Sequence, residues 1–180
     1  GRELRFADVR KFGRAGLAVN PGDLMPALGP EPWDQQFTAG YLRERLERGK
    51  GPIKARVLDQ SLVAGVGNIY ADEALFHAGI HPLRTGSNLR PAEWPRLRDA
   101  IQWALAHGVG LRGASLRDFF DIDGEQGALQ DDTFVVGRAT MPCRLCGTPI
   151  EKIRVAGRGT SFCPSCQPRS SAVSAKTYEA

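Results

Sequence analysis

The sequence has no long apolar run, and its cysteines are few and confined to its last quarter. None of its windows approaches the roughly 18 consecutive apolar residues of a membrane-spanning helix. Residues 1–5, GRELR, lack the apolar stretch of a secretory signal. Collagen-like repeats and the composition of a fully disordered chain are also missing. These absences argue against a membrane-spanning, secreted or fibrous protein, and we expect a soluble, cytoplasmic globular protein.

The length of 180 residues suits one ordinary domain or two small ones. The composition, 42% apolar and 24% charged, is that of a globular protein. The net charge of +4 is unevenly distributed. Residues 134–180 carry 7 basic and 2 acidic side chains, whereas residues 112–133 carry 2 basic and 6 acidic ones. Clustered basic residues suit a surface that faces a polyanion. Charge alone is equally compatible with a merely basic soluble protein.

The four cysteines form two pairs with the spacing of a zinc site. Cys143 and Cys146 are followed after sixteen residues by Cys163 and Cys166. Each C-x-x-C forms a tight turn that aims two thiolates at one point, and a hairpin between the turns can close a tetrahedral site. Two disulfides are the alternative, but nothing else in the sequence indicates an oxidising compartment. A closed four-sulfur site predicts one structural Zn²⁺.

Local signals predict helices in the first part of the chain and strands near its end. Thr38 is placed as an N-cap, with Phe37 and Leu42 at the two hydrophobic staple positions and Gly49 as the stop. Further helices are predicted over 53–62, 69–79 and 91–108, and strands over 134–136, 150–155 and 160–162.

The turn GVGN at 65–68 lies between two predicted helices. Its glycines allow a ligand close to the backbone, and the next helix offers unpaired N–H groups together with the amide of Asn68. Such a turn can bind a phosphate. Taken alone, these four residues are more typical of a plain helix-to-helix turn, and no dinucleotide fingerprint is present.

These motifs together resemble the formamidopyrimidine-DNA glycosylase family. The resemblance rests on PIKARVLDQ at 52–60, LVAGVGNIYADEALF at 62–76 and AGIHP at 78–82. It continues through SLRDF at 115–119, DG at 123–124, PCR at 142–144, CGTPI at 146–150 and VAGRGT at 155–160. The match runs in order over about residues 4–167 and is closer to this family than to the related endonuclease VIII branch.

The resemblance implies a mainly α-helical helix-two-turn-helix domain followed by a small β-hairpin zinc finger. It also implies a short β remnant of an N-terminal β-sandwich at the start. The domain boundaries expected from it are a remnant and linker over 1–33, the helical DNA-binding domain over 34–133, the zinc finger over 134–167 and a disordered tail over 168–180.

In this family the activity is removal of oxidised purines from duplex DNA by a glycosylase that is also an abasic-site lyase. Such an enzyme binds the phosphates that flank a flipped nucleotide. The resemblance implies that Asn68 and Arg158 contact those phosphates, that Lys50 and Lys54 lie near the same backbone, and that Arg158 takes part in the final elimination. The implied partner is damaged double-stranded DNA, bound by a monomer near the nucleoid, with no membrane partner.

The family's gap-filling loop corresponds to RKFG at 10–13. Phe12 is expected to insert between bases, and Arg10 to pair with the widowed cytosine, because its fork of donors suits a base edge. Lys11 replaces a family arginine. A buried strand position is the alternative for Phe12.

Other departures from the family concern the loop that covers the flipped base, called the lesion loop, and the catalytic amine. Leu129 and Val136 stand where the family has aromatic residues, which puts substrate preference in question. The N-terminal proline and glutamate of the family's chemistry are not in the chain. We therefore expect the chain to supply damaged-DNA binding and to be inactive alone.

Two alternatives belong to other functional classes. One is a non-catalytic zinc-finger DNA-binding or regulatory module. The other is a zinc-stapled module that binds RNA or protein. The three histidines, His77, His81 and His107, are expected to be structural.

Overall fold

The computed structural model describes residues 5–6, 15–20, 28–113 and 127–169. In these ranges four α-helices precede one β-hairpin. The helices are α1 (Ala39–Leu46), α2 (Ile53–Val57), α3 (Asn68–His77) and α4 (Glu93–Gly110), and the strands are β1 (Glu151–Val155) and β2 (Arg158–Phe162). The predicted order of a helical region and then a hairpin is confirmed.

Several predicted features lie outside the described residues. They are the β remnant at the start of the chain, the loop at 10–13 with Arg10 and Phe12, the motifs at 115–119 and 123–124, and the tail from residue 170.

Helix α1 begins as the sequence predicts. The Thr38 hydroxyl accepts a hydrogen bond from the Tyr41 amide at 3.1 Å, which satisfies one of the unpaired donors of the first turn. Phe37 and Leu42 are both buried in the same cluster, as the staple requires.

Helix α2 is shorter than predicted and ends at Val57. The Asp59 carboxylate accepts hydrogen bonds from the Ser61 amide at 3.0 Å and the Ser61 hydroxyl at 2.6 Å. This side-chain turn competes with the helical pattern and ends it. The prediction of a helix over 53–62 is therefore wrong in its second half.

Helix α4 packs against both α1 and α3 and supplies the centre of the core. Its buried Trp94, Leu97, Ile101 and Leu105 recur at helical spacing and belong to a cluster of 20 buried apolar residues. The helix continues through Gly108, which the sequence predicts as its stop. A Cβ at Gly108 would lie 2.3 Å from a Tyr70 ring carbon, so this glycine lets α3 and α4 approach each other. Within the described ranges, no helix combines the length and apolarity that crossing a membrane requires.

The β-hairpin is antiparallel, with Val155 paired to Arg158 and Glu151 paired to Phe162. Its two-residue turn, Ala156 and Gly157, has φ values of 48° and 76°. Consecutive left-handed residues give the turn a twist that matches the two strands. The zinc region, residues 134–167, packs on α3 through a second, smaller core of five buried residues, which are Phe76 of α3 together with Val135, Ile150, Cys143 and Cys163.

Residues 134–136 do not form the predicted strand. The amides of Phe134, Val135 and Val136 all donate to the carboxylate of Glu73, at 2.8, 3.0 and 3.0 Å. Because one carboxylate takes three successive N–H groups, the segment curves around it and cannot join a ladder. The prediction of a strand there is wrong.

Candidate nucleic-acid interface and metal centre

The four cysteine sulfurs converge as the spacing predicts. All four Sγ atoms lie within 4.8 Å of one another, with Cys146 and Cys163 separated by 3.5 Å and Cys143 and Cys166 by 3.9 Å. A tetrahedral zinc with Zn–S bonds of about 2.3 Å holds its sulfurs about 3.8 Å apart. The sulfur separations fit that geometry and exceed the roughly 2.05 Å of a disulfide bond.

Backbone amides support the thiolates of this site. The Leu145 amide donates to Cys143 Sγ at 3.5 Å, and the Cys166 amide donates to Cys163 Sγ at 3.4 Å. These hydrogen bonds favour the charged thiolate that binds metal. Four protein ligands leave no open position for a substrate, so the donor set holds one structural Zn²⁺.

The turn before α3 is held by Gln60. Its side-chain amide donates to the Val66 carbonyl at 2.8 Å and accepts from the Gly65 amide at 2.8 Å. Gly65 has a φ of 80°, which favours glycine. Gly67 provides no side-chain cap, so the first N–H groups of α3 have no acceptor within the helix. Gln60 ends the stretch PIKARVLDQ, but no role was predicted for it, because the amide and carbonyl that it binds lie five and six residues further along the chain.

Two predicted DNA-binding side chains meet at one carbonyl oxygen of the hairpin. The Asn68 side-chain amide donates to the Gly159 carbonyl at 3.1 Å, and Lys54 Nζ donates to the same oxygen at 2.9 Å. Gly159 immediately follows Arg158 at the start of β2. The structure therefore brings three predicted residues, Asn68, Lys54 and Arg158, to the hairpin tip.

Lys54 is fully buried, which differs from the expected direct contact with the DNA backbone. Its ammonium pairs with Asp72 Oδ1 at 2.7 Å and also donates to Thr160 Oγ1 at 2.7 Å. The other oxygen of Asp72 accepts a hydrogen bond from the Ser161 amide at 3.0 Å. With the Gly159 carbonyl, these partners use all three N–H donors of the ammonium. Lys54 thus acts on the protein itself and does not present its charge to solvent.

Burial works against both charges of this pair. It lowers the pKa of Lys54, an effect that the charge of Asp72 partly offsets and that the charge of nearby Arg158 increases. Burial raises the pKa of the Asp72 carboxyl to about 6, against the opposing effects of Lys54 and the Ser161 amide. Each charge therefore depends on the other to remain ionised.

Arg158 and Lys50 are both exposed, but they lie in different surroundings. Arg158 stands at the hairpin tip, and in the described ranges its guanidinium pairs with no carboxylate. Lys50 lies in the link between α1 and α2. The described part of the chain shows no bonded contact between Lys50 and the other predicted DNA-binding residues.

Glu73 fastens the start of the zinc region to α3 and was missed by the sequence reading. Its side chain is 3% exposed, and burial raises the pKa of its carboxyl against the effect of three backbone hydrogen bonds. Asp72 and Glu73 are adjacent in a helix, so they point in directions about 100° apart. Asp72 thereby reaches β2 while Glu73 reaches the segment at 134–136.

The histidines occupy packed positions. His77 lies against Trp103 and Phe134, and burial lowers its pKa to about 4. His81 accepts a hydrogen bond from the Leu83 amide at 3.1 Å. His107 stacks on Trp103, and its Nε2 lies 3.0 Å from a carboxylate oxygen of Asp132.

The surface at the hairpin tip has the chemistry of a phosphate site. It combines the guanidinium of Arg158, the side-chain amide of Asn68 and the positive end of α3. Residues 28–120 match the H2TH domain of formamidopyrimidine-DNA glycosylases, and residues 142–169 match the zinc finger found in FPG and IleRS.

The chain belongs to the formamidopyrimidine-DNA glycosylase family.

Family members of known sequence resemble it over nearly its whole length. A formamidopyrimidine-DNA glycosylase of Synechococcus sp. is 48% identical over 175 residues, which cover 93% of this chain and 61% of the relative. One from Symbiobacterium thermophilum is 50% identical over 172 residues, covering 93% of this chain and 56% of the relative. The chain thus spans about three fifths of the length of these curated relatives.

Solved structures of the family share the fold. The MutM (Fpg) protein of Thermus thermophilus aligns with a TM-score of 0.82 at 44% identity, covering 89% of this chain and 62% of that one. The Fpg protein of Lactococcus lactis in complex with abasic-site DNA aligns with a TM-score of 0.75 at 40% identity, covering 83% and 55%.

The two departures from the family's aromatic pattern have different surroundings. Leu129 is 2% exposed, and its amide donates to the Gly113 carbonyl at 3.1 Å. Val136 is half-buried against the small core of the zinc region. Both side chains therefore pack within the protein.

Proposed function

We propose that this chain is the damaged-DNA-binding part of a bifunctional DNA glycosylase and abasic-site lyase that removes oxidised purines such as 8-oxoguanine and formamidopyrimidines. In this role residues 34–133 form the helical DNA-binding domain and residues 134–167 the zinc finger. The protein acts as a monomer on damaged duplex DNA in the cytoplasm. The observation that best supports the proposal is that Asn68 and Lys54 both donate to the Gly159 carbonyl, next to Arg158 at the hairpin tip.

The proposed phosphate contacts come from the half-buried Asn68 amide and the exposed Arg158 guanidinium. Asn68 uses one amide N–H on Gly159, which leaves the second for a phosphate oxygen. Arg158 supplies a fork of N–H groups suited to phosphate, and in the complete reaction it assists loss of the phosphate after base removal. Lys50 adds a cation to the same backbone, whereas Lys54 acts indirectly by holding the tip.

Two further residues complete the proposed interface. Arg10 and Phe12 lie outside the described residues, and we assign them the roles that the family implies. Phe12 fills the gap left by the flipped nucleotide, and Arg10 pairs with the base opposite it. The proline nucleophile that begins the chemistry in this family is not among the 180 residues.

Binding to an abasic-site duplex tests the proposal. We expect the chain to bind a duplex with an abasic-site analogue more tightly than an intact one, and to lose affinity steeply with salt. Arg158→Ala should lower the salt slope by about 0.9, the value for one lost phosphate contact. The control is Arg45→Ala, an exposed cation on α1 whose guanidinium lies over the Tyr41 ring. Equal affinity for both duplexes would favour a general zinc-finger module instead.

Borohydride trapping tests the division of labour. The chain alone and the chain joined to a family-type N-terminal domain are incubated with duplexes that carry 8-oxoguanine or an abasic site. We expect only the joined protein to form the covalent adduct, because the reacting amine belongs to the N-terminal domain. An adduct with the chain alone would mean that an amine in these 180 residues is a competent nucleophile.

A further inference from the structure

Lys54 and Asp72 form an ion pair that is hydrogen-bonded to strand β2. Lys54 Nζ contacts Asp72 Oδ1 at 2.7 Å, the Gly159 carbonyl at 2.9 Å and Thr160 Oγ1 at 2.7 Å. Asp72 Oδ2 accepts from the Ser161 amide at 3.0 Å. We call these five residues, Lys54, Asp72, Gly159, Thr160 and Ser161, the tip clasp. It grips three successive residues of one strand through side chains from two helices.

The tip clasp holds the end of the hairpin that the metal does not hold. Cys163 follows β2 directly, so zinc fixes the far end of that strand. Gly159 and Thr160 lie at its beginning, beside the turn. A two-stranded hairpin is at best marginally stable by itself. The position of the tip therefore depends on contacts with α2 and α3.

Stability alone does not account for a buried ion pair at this place. Removing two charges from water is costly, and apolar side chains of similar volume are often as stabilising. What an apolar pair cannot do is bind one particular carbonyl and one particular amide. The directional bonds of Lys54 and Asp72 fix the strand along its own length.

We infer that Asp72 is a positioning residue for Arg158: through Lys54 and Ser161 it sets the hairpin tip so that the guanidinium and the Asn68 amide bind neighbouring phosphates of one DNA strand. This inference rests on the proposed function and deepens it. Asp72 touches no DNA and acts only through the tip clasp.

The chain contains a second buried ion pair that serves as a matched control. Arg84 and Glu93 are 5% and 1% exposed and are joined by hydrogen bonds of 2.7 and 2.9 Å. This pair links the segment before α4 to the first residue of α4. It has the same type of chemistry as Lys54 and Asp72 but grips no part of the hairpin.

The test uses two charge-neutral double variants of the full chain, K54M/D72L and R84M/E93L, and the single variant Arg158→Ala. Each double variant removes one cation and one anion, so the net charge is unchanged and lost long-range attraction cannot explain a loss of binding. Zinc content and thermal unfolding report the fold. Affinity for an abasic-analogue duplex is measured over a series of salt concentrations.

We expect K54M/D72L to bind one zinc and to lose about tenfold in affinity, as one charge-assisted contact is lost. Its salt slope should fall by about 0.9, and adding Arg158→Ala should have little further effect. R84M/E93L should keep the native affinity and slope. A native affinity for K54M/D72L alongside a weakened Arg158→Ala would overturn the inference and leave the proposed function intact. Native binding by Arg158→Ala would contradict the proposed function itself.

Thr160→Val decides the question if the double variant does not fold. This change removes one acceptor of the Lys54 ammonium and keeps the volume of the buried side chain and both charges. We expect a loss of about threefold in affinity with full zinc content, because one bond of the tip clasp is missing. Unchanged affinity would contradict a positioning role.

Discussion

The two buried ion pairs differ in how well each carboxylate is satisfied. Glu93, in the helical region, receives the two-pronged guanidinium of Arg84 and the Arg90 amide at 2.6 Å. Burial alone would raise its pKa, but these bonds outweigh burial and lower it to about 2. Asp72, at the joint with the hairpin, receives Lys54 and a single amide, and burial raises its pKa to about 6.

We therefore interpret Arg84 and Glu93 as a pair that stabilises the fold, and Lys54 and Asp72 as a pair that positions a strand. The two regions that contain these pairs also differ in the size of their apolar cores. The main cluster of the helical region has 20 buried apolar residues, whereas the cluster beneath the zinc region has five, of which Phe76 comes from α3 and two are cysteines of the metal site. The helical region can therefore fold through its core, and the zinc region depends on metal and polar bonds for its shape.

Zinc removal should have the largest effect and should affect the zinc region far more than the helical region. With its small core, the hairpin is expected to unfold, since a structural zinc contributes on the order of 10 kcal/mol in comparable fingers. Chelation should abolish hydrogen-exchange protection in β1 and β2 and leave the helical circular dichroism largely intact. Returning zinc should restore both protection and DNA binding. Protection of the strands without metal would show that the five-residue core suffices.

Glu93→Gln should strongly destabilise the helical region. It leaves the Arg84 guanidinium buried without a counter-charge, at a cost of about 3–5 kcal/mol in the free energy of unfolding. Urea unfolding measures the effect. Asp99→Asn, which alters the exposed pair with Arg98, is the control and should change stability by less than about 1 kcal/mol. A loss as small as the control's would mean that the buried pair contributes little.

Acidification from pH 7.5 to 5.5 should loosen DNA binding without unfolding the chain. Glu93, with a pKa lowered to about 2, contributes stability that is lost only as pH falls from about 4.5 towards 2. Asp72, with a pKa raised to about 6, takes up a proton in the folded chain before the unfolded one, so its protonation does not lower stability. It does remove the charge opposite Lys54.

The expected result is a several-fold loss of affinity for the abasic-analogue duplex by a chain that is still folded. The unfolding temperature should fall only modestly, because burial lowers the pKa of His77 to about 4 and the unfolded chain takes up a proton at this histidine before the folded chain does. The charged groups acting on this pair are Lys54, Glu73 and Arg158. Asp72→Asn should bind weakly at both pH values. A native protein whose affinity is the same at pH 7.5 and 5.5 would count against the tip clasp.

Thr38→Ala should give the smallest effect. Loss of the helix cap costs about 1 kcal/mol and acts on α1 alone. Zinc content and DNA affinity should stay native, since α1 packs against α4. Thr38→Ser keeps the accepting oxygen and should retain most of the stability. Equal losses for the two variants would mean that the hydroxyl is not the stabilising group.

Features that depend on neighbours in sequence could be predicted. The Thr38 cap and the cysteine pairs belong to this kind, because each is defined by residues within a few positions. The family resemblance located Asn68 and Arg158 in advance. Their proposed contacts with DNA remain predictions that the experiments above test.

Features that depend on distant partners could not be predicted. Lys54 reads as a surface cation in its own segment, and only Asp72 and β2 explain its burial. Residues 134–136 read as a strand because they are apolar, but the carboxylate of Glu73, 61 to 63 positions away, takes their amides. In both cases a buried carboxylate on α3 decides the local structure.

The contacts that join the hairpin to the helices also bear on the order of folding. The bonds of Lys54 and Asn68 to the hairpin connect residues 91 to 106 positions apart, whereas the sulfurs of the metal site come together within 23 positions. Closing longer loops costs more chain entropy, so the separate parts are expected to form first and to dock last. A partly folded chain would therefore hold its metal before it could hold DNA.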